Sequence, residues 1–175
     1  MQSGRQEVDK VEKPIGTDAD GFTILQTAVK SVLNQYPDLL EGEVIRYGEL
    51  DEKSGIAFFD DTGALVYNEH EDVCGVMHQV CQYQFLIVYR TSSGKERNKI
   101  TIQEFLNSLG KWLCREPVTI NGRTAFLEQF PELTGGRIIK RITRENPYPT
   151  EPTKEGIQDW VLPMAVRYKY DFETL

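Results

Sequence analysis

Apolar residues along this chain recur with two different periods. Between Phe22 and Tyr36 the spacing is helical, with Ile24, Leu25, Ala28, Val29, Val32, Leu33 and Tyr36 on one face. Asp20 or Thr23 offers a cap at its start, and Pro37 stops it. The chain then turns to short strand-like runs, Glu43–Gly48, Gly55–Phe59 and Ala64–Asn68. Asp60-Asp61-Thr62-Gly63, between the last two, reads as a hairpin turn with Gly63 free to take a positive φ. Gly75–Arg90 reads as a long strand with Cys81, Tyr83, Phe85, Ile87 and Tyr89 on one face. Its other face is polar first, at Gln82 and Gln84, and apolar later, at Leu86 and Val88, as in a strand entering the middle of a sheet.

Thr91–Lys95 reads as a loop. A second helix follows, with Thr101 and Glu104 spaced as a capping box and a stripe of Ile102, Phe105, Leu106, Leu109, Trp112 and Leu113. Gly110 weakens it slightly, and Pro117 blocks its continuation. Val118–Gly136 is turn-rich, with a short helical turn expected near Ala125–Phe130. Arg137–Thr143 reads as a strand, and Glu145–Gly156 as a long loop stiffened by Pro147, Pro149 and Pro152. In the last segment Leu162, Met164, Val166, Tyr168, Tyr170 and Phe172 alternate with Pro163, Ala165, Arg167, Lys169 and Asp171, a strand with one core face and one outward face.

Two helices among many strands imply an α+β fold. It is a two-layer sandwich in which a mostly antiparallel sheet carries both main helices on one face. The polar first 21 residues read as a flexible N-terminal arm, and 22–175 as a single domain. A chain of 175 residues, 39% hydrophobic and 27% charged, has the size and balance for one such core.

Net charge is −7, which opposes sequence-specific binding to a nucleic acid. The charge is also segregated. Ten acids and two bases, Arg46 and Lys53, fall between Glu41 and Asp72, whereas Arg137, Lys140, Arg141 and Arg144 lie within eight residues with no acid among them. One reading is that both stretches are solvated edges and loops. The other makes them complementary subunit faces, with Glu41, Glu43, Asp60 and Asp61 against Arg137, Lys140, Arg141 and Arg144. No apolar run approaches the roughly 18 residues that cross a bilayer, so no membrane partner is expected. Nothing before Asp20 resembles an apolar signal core, which places synthesis in a cytoplasm. Three irregularly spaced cysteines suit a reducing compartment.

Candidate chemistry is sparse. Asp61-Thr62-Gly63 matches the loop that pairs catalytic carboxylates in retrovirus-type aspartic proteases, but Asp-Thr-Gly is also an ordinary turn. Asp60 adds an unwelcome charge, and Lys140 follows Ile138-Ile139 where that fold needs glycine. Cys74, His78 and Cys81, with His70 or Cys114, supply ligand types for zinc. Their spacing lacks an obvious fourth ligand, and buried cysteines acting as small apolar residues explain the pattern better. Tyr83, Phe85 and Tyr89 have the look of a base-stacking strip, but such a pattern is more often a core face and the neighbouring residues supply little positive charge. No catalytic residue, cofactor or metal site is assigned.

Taken together, several of these features resemble the small tail-terminator and minor-capsid proteins of long-tailed phages and prophages of Gram-positive bacteria. They are the leading helix Phe22–Tyr36, the strands ending in Gln82-Tyr83-Gln84-Phe85, and the Trp-bearing helix Phe105–Leu113. After these come Arg141-Ile142-Thr143, Pro147, Gly156, Trp160-Val161-Leu162-Pro163-Met164 and Tyr168-Lys169-Tyr170-Asp171-Phe172. The resemblance implies a non-enzymatic virion protein at the head–tail junction, assembling as a ring, often a hexamer. Its partners would be a tail-tube protein and a head-completion protein, with DNA passing through without specific contact. The long N-terminal arm and the Val118–Gly136 insertion depart from the pattern. A small binding module or host-factor inhibitor is the alternative, and an aspartic-type hydrolase at Asp61 a further one.

Overall fold

The computed structural model describes residues 12–92 and 96–174. β1 (Gly16–Thr17) and α1 (Ala19–Leu33) come first, then β2 (Arg46–Tyr47) and two long strands, β3 (Gly55–Glu71) and β4 (Val76–Thr91). α2 (Glu96–Leu113) precedes a small ribbon of β5 (Val118–Ile120) and β6 (Arg123–Ala125), and β7 (Arg137–Arg144), β8 (Tyr148–Pro149) and β9 (Gln158–Glu173) follow.

The main sheet has the order β1-β3-β4-β9-β7, with β2 beside β3 and β8 beside β9. All its pairings are antiparallel except β2 with β3. Strand β4 sits at the centre, because its run of β-branched and aromatic residues is apolar on both faces toward its end. Register rows fix the two faces. Phe58, Ile87 and Leu162 share one row, and Ala64, Tyr83 and Val166 another, all buried. Over this face lie α1, through Leu25, Val29, Val32 and Leu33, and α2, through Ile102, Leu106, Leu109, Trp112 and Leu113. This is the expected two-layer α+β sandwich. Where α2 crosses the sheet it comes so close that a Cβ on Gly110 would stand 2.9 Å from Arg144 Cδ and 3.3 Å from Leu162 Cδ2. The glycine that seemed only a weakness of the helix is what lets it seat.

Several local expectations are corrected. Asp60–Gly63 does not end a hairpin. β3 runs unbroken from Gly55 to Glu71, and these residues form a bulge within it, marked by the register shift between Asp60 and Gly63. Gly63 takes the positive φ, 77°, but within the bulge. The true turn is Asp72–Gly75, where Asp72 Oδ1 accepts the amides of Cys74 and Val76 at 2.8 and 3.0 Å, an Asx-type turn. Thr101 lies inside α2 rather than at its cap. Ala125–Phe130 contains no helical turn; only Ala125 is in regular structure, at the end of β6. Of Glu43–Gly48 only Arg46–Tyr47 is strand.

The N-terminal boundary also moves. Residues 1–11 of the expected arm, like 93–95 of the expected loop, lie outside the described residues. From Ile15 onward the chain is fixed: the Ile15 amide donates to Val66 O at 2.8 Å and that of Asp18 to Ala64 O at 3.0 Å. The helix starts at Ala19, and its cap is Asp18 rather than Asp20 or Thr23.

Asp18 also holds the layers together. Its Oδ1 accepts the Gly21 amide at 3.1 Å and Arg137 Nη2 at 2.7 Å, and its Oδ2 accepts Arg137 Nε at 2.9 Å and the Tyr168 hydroxyl at 2.7 Å. Both side chains of the ion pair are almost wholly buried, 4% exposed for Asp18 and 3% for Arg137. The Arg137 guanidinium also lies 3.7 Å from the centre of the Tyr170 ring. Burial alone would raise the Asp18 carboxyl, but the donors from Arg137, Tyr168 and Gly21 outweigh it and hold it below the usual carboxylate range. Asp18→Asn should therefore cost about 3–5 kcal/mol, the penalty for leaving one partner of a buried pair alone. Adding Arg137→Met should recover part of that loss. Urea unfolding of both variants measures this, and a loss below about 1 kcal/mol in Asp18→Asn would show that the pair does not brace the fold. Because the Asp18 pKa is lowered on folding, its contribution is present above the ordinary carboxylate range and fades as pH falls through the depressed value.

Candidate interaction surface

The helices leave the second face of the sheet without a helical cover. The register rows place Leu65, Gln82, Arg167 and Arg141 side by side on it. The adjoining row carries Gly63, Gln84, Ala165 and Thr143. A shallow groove of about 440 Å³ crosses all four strands here, with Asp61, Gln82, Gln84, Leu86, Thr143 and Ala165 along it. Ile138, 57% exposed, adds apolar surface on β7.

Charge on this face is uneven. Arg141 and Arg167 are direct cross-strand neighbours, and exposed Lys169 lies two residues along β9 on the same side. Like charges set opposite each other cost free energy unless an anion offsets them. Here Glu12 does so in part, accepting from Arg167 Nη2 at 2.6 Å. The cluster is thus seen taking a carboxylate.

The residues proposed as subunit faces separate into exposed and internal groups. Lys140 and Arg141 are exposed on β7, and Arg144 is half-buried and pairs with Glu116 at 3.3 Å. Arg137 is not on the surface at all. It is the buried partner of Asp18, so the basic face consists of Lys140, Arg141 and Arg144. Among the acids, Glu41 is exposed and Glu43 half-buried, both before β2. Asp60 and Asp61 diverge although adjacent. Asp61 is exposed on the groove side, whereas Asp60 turns inward and accepts hydrogen bonds from the hydroxyls of Tyr83 and Tyr47 and, at 2.8 Å, from Gln26 Nε2. Burial, then the bond to Asp60, pushes the Tyr83 hydroxyl far above its usual range; for Tyr47 the Asp60 bond leads and raises it to about 12. Both phenols remain donors at any ordinary pH. Ordinary strand alternation accounts for this split, since successive side chains point to opposite faces of the sheet, and the bulge follows directly after Asp60.

Nor does the structure gather the sulfur and imidazole candidates. Cys81 is fully buried on the core face, where burial raises its thiol to about 11, and Cys74 is exposed in the turn. Cys114 is half-buried beyond α2, also raised to about 11 by burial. His78 is on the open face, engaged by Asp72 and Asp171. Among the described residues no three such side chains converge to hold a metal ion. Tyr83 and Phe85 belong to the core, with Tyr89 half-buried against Phe105, rather than to a stacking strip.

No protein-family model matches the chain, and no curated protein aligns with it at a significant level. Its own geometry is therefore the ground on which a function has to be argued.

The two neighbouring aspartates give a sharp contrast. Asp60→Ala should destabilise the fold by about 1–3 kcal/mol, because it leaves the buried Tyr83 hydroxyl without its acceptor. Asp61→Ala should change stability by less than about 0.5 kcal/mol. Thermal or urea unfolding of the pair decides it, and equal effects would show that the inward and outward assignments are mistaken.

Proposed function

We propose that this chain is a non-enzymatic assembly protein that joins copies of itself head to tail into a ring, in the manner of the phage tail terminators and minor-capsid proteins it resembles. In that role it caps a tail tube and meets a head-completion protein within the virion. One observation carries the reading. One group of acidic side chains and one group of basic side chains lie toward opposite edges of a single sheet. Strand β3, with Asp61, Glu69 and Glu71, stands at one side, flanked only by the two-residue strands β1 and β2. Strand β7, with Lys140, Arg141 and Arg144, ends the sheet at the other.

A heterologous contact needs this arrangement. The two halves of a head-to-tail interface are different patches on one subunit, and a rotation that brings one onto the other closes a ring when repeated. Register supports the match in height as well, since the row of Asp60, Phe85 and Met164 ends at Arg144 on β7. The bulge of one copy thus stands level with the Arg144 end of β7 in the next when the sheets lie side by side, with Arg141 on the open side shared with Asp61 and Arg144 on the helix side. The uncovered face supplies the rest of the surface that a stable contact of about 800 Å² per partner requires.

Exposed ion pairs contribute about 0.2–1 kcal/mol each, so three of them account for roughly one order of magnitude in association. Replacing Lys140, Arg141 and Arg144 with Glu should weaken self-association about tenfold or more, with circular dichroism unchanged and the unfolding midpoint lowered only as far as in Arg144→Glu alone, which loses the Glu116 pair. Raising salt from 0.05 to 0.5 M should weaken the unaltered protein in the same direction. Sedimentation velocity across a dilution series measures both. An unaltered mass distribution in the triple variant would remove β7 from the interface.

A further inference from the structure

At the far end of the sheet from the bulge, three strands and a turn meet around one imidazole. His78 on β4 has His70 of β3 beside it, their rings stacked with centroids 4.9 Å apart. On its other side Asp171 of β9 approaches His78 Nδ1 at 2.8 Å. The β3–β4 turn folds over so that Asp72 Oδ2 reaches His78 Nε2 at 2.9 Å. The other oxygen of Asp72 holds the turn itself, through the amides of Cys74 and Val76. The end of β9 closes on the same turn, where Thr174 Oγ1 donates to Gly75 O at 2.9 Å and lies 3.0 Å from Glu71 Oε1.

A neutral imidazole has one N–H and one lone pair, while a carboxylate only accepts. With a carboxylate on each ring nitrogen, only the doubly protonated ring satisfies both contacts. Loss of either proton sets a nitrogen lone pair against a carboxylate oxygen. We propose that His78 is a proton-operated latch that fastens the Asp72–Gly75 turn to the end of β9 when it is charged and releases the turn when it is neutral. The two carboxylates lie on different edges of the ring, so the same cluster cannot close on a single metal ion. The latch stands on this geometry and is independent of the assembly reading.

The charged groups around His78 favour its cationic form. Asp72 comes from the turn and Asp171 from β9, with Glu173 and Lys169 two residues to either side of Asp171 on the same face; His70 is the facing group from β3. The hydrogen bonds to Asp72 and then Asp171 raise the His78 pKa, and the bond to His78 lowers that of Asp72. The signs follow. A raised histidine contributes fully below its ordinary value of about 6.5 and loses its contribution as pH rises through the raised one; a lowered aspartate contributes above about 3.9 and fails as pH falls through the lowered one. The latch is therefore fully closed between roughly pH 4 and 6.5 and opens on the alkaline side.

Two readouts on the full chain test it. Proton-detected NMR of the His78 ring should give a pKa above that of His78 in Asp171→Asn, with both ring protons visible at pH 6. Hydrogen exchange at the Cys74 and Val76 amides, corrected for intrinsic base catalysis, should lose protection as pH rises through that pKa. In His78→Gln, whose amide cannot be charged, protection should be low and independent of pH while β4 core amides stay protected. A ring pKa at or below the ordinary value, or turn protection that ignores pH in the unaltered protein, overturns the latch. Loss of core protection in His78→Gln passes the decision to Asp171→Asn, whose side-chain amide can donate to a neutral ring, so turn protection should persist above the His78 pKa; protection lost there with rising pH as in the unaltered protein overturns the proposal.

Discussion

A single buried carboxylate organises this fold. Asp18 has four donors on its two oxygens: the amide of Gly21 at the head of α1, two nitrogens of Arg137 on β7 and the hydroxyl of Tyr168 on β9. Its own amide is bonded to β3. One side chain thus joins the helix layer, the inner strands and the edge strand. A charge in this position is tolerable only because every acceptor site is filled, and the same completeness makes each partner indispensable. Arg137, packed over Tyr170, brings β7 under the helix layer. Among the described residues both helices lie on this one face of the sheet, and the other displays Arg141, Arg167 and Lys169.

The fold class was legible because hydrophobic period is a local signal. The stripe on α1, the stripe of α2 from Ile102, the alternation of β4 and that of β9 can be read from spacing alone, and the buried rows agree with them. What was hidden depended on partners distant in sequence. Arg137 looks like one of four bases on an exposed strand, and only the contact with Asp18, 119 residues away, shows that it is internal. Asp18 in turn looked like part of a loose arm, with Asp20 and Thr23 as equally good caps by type. The bulge was misread as a turn for a related reason. Asp-Asp-Thr-Gly has turn chemistry, and turn residues also make bulges; pairing with an unbroken β4 decides between them.

The candidate surface shows the same division. That Glu41–Asp72 is acidic and the β7 segment basic is plain in the sequence. That they flank opposite sides of one sheet follows only from the strand order, since β9 and β4 lie between β7 and β3. Likewise Arg141 and Arg167 are 26 positions apart in the chain but adjacent across the ladder, and Asp60 and Asp61 adjoin in the chain but face apart. His78 drew notice as a metal ligand beside two cysteines, yet strand alternation sends Cys81 to the core and leaves the imidazole between two carboxylates.

In the proposed head-to-tail contact, electrostatic segregation across the sheet decides the mode of association. Opposite patches on opposite sides favour an open-ended or closing head-to-tail series over a two-fold dimer, in which each patch would have to meet itself. Light scattering of the unaltered protein over a wide concentration range, with negative-stain images of the same samples, examines this most directly. The expected result is a closed ring of defined mass, about six copies, that dissociates as salt is raised. A strict monomer at every concentration, or a two-fold dimer that ignores salt, would contradict it.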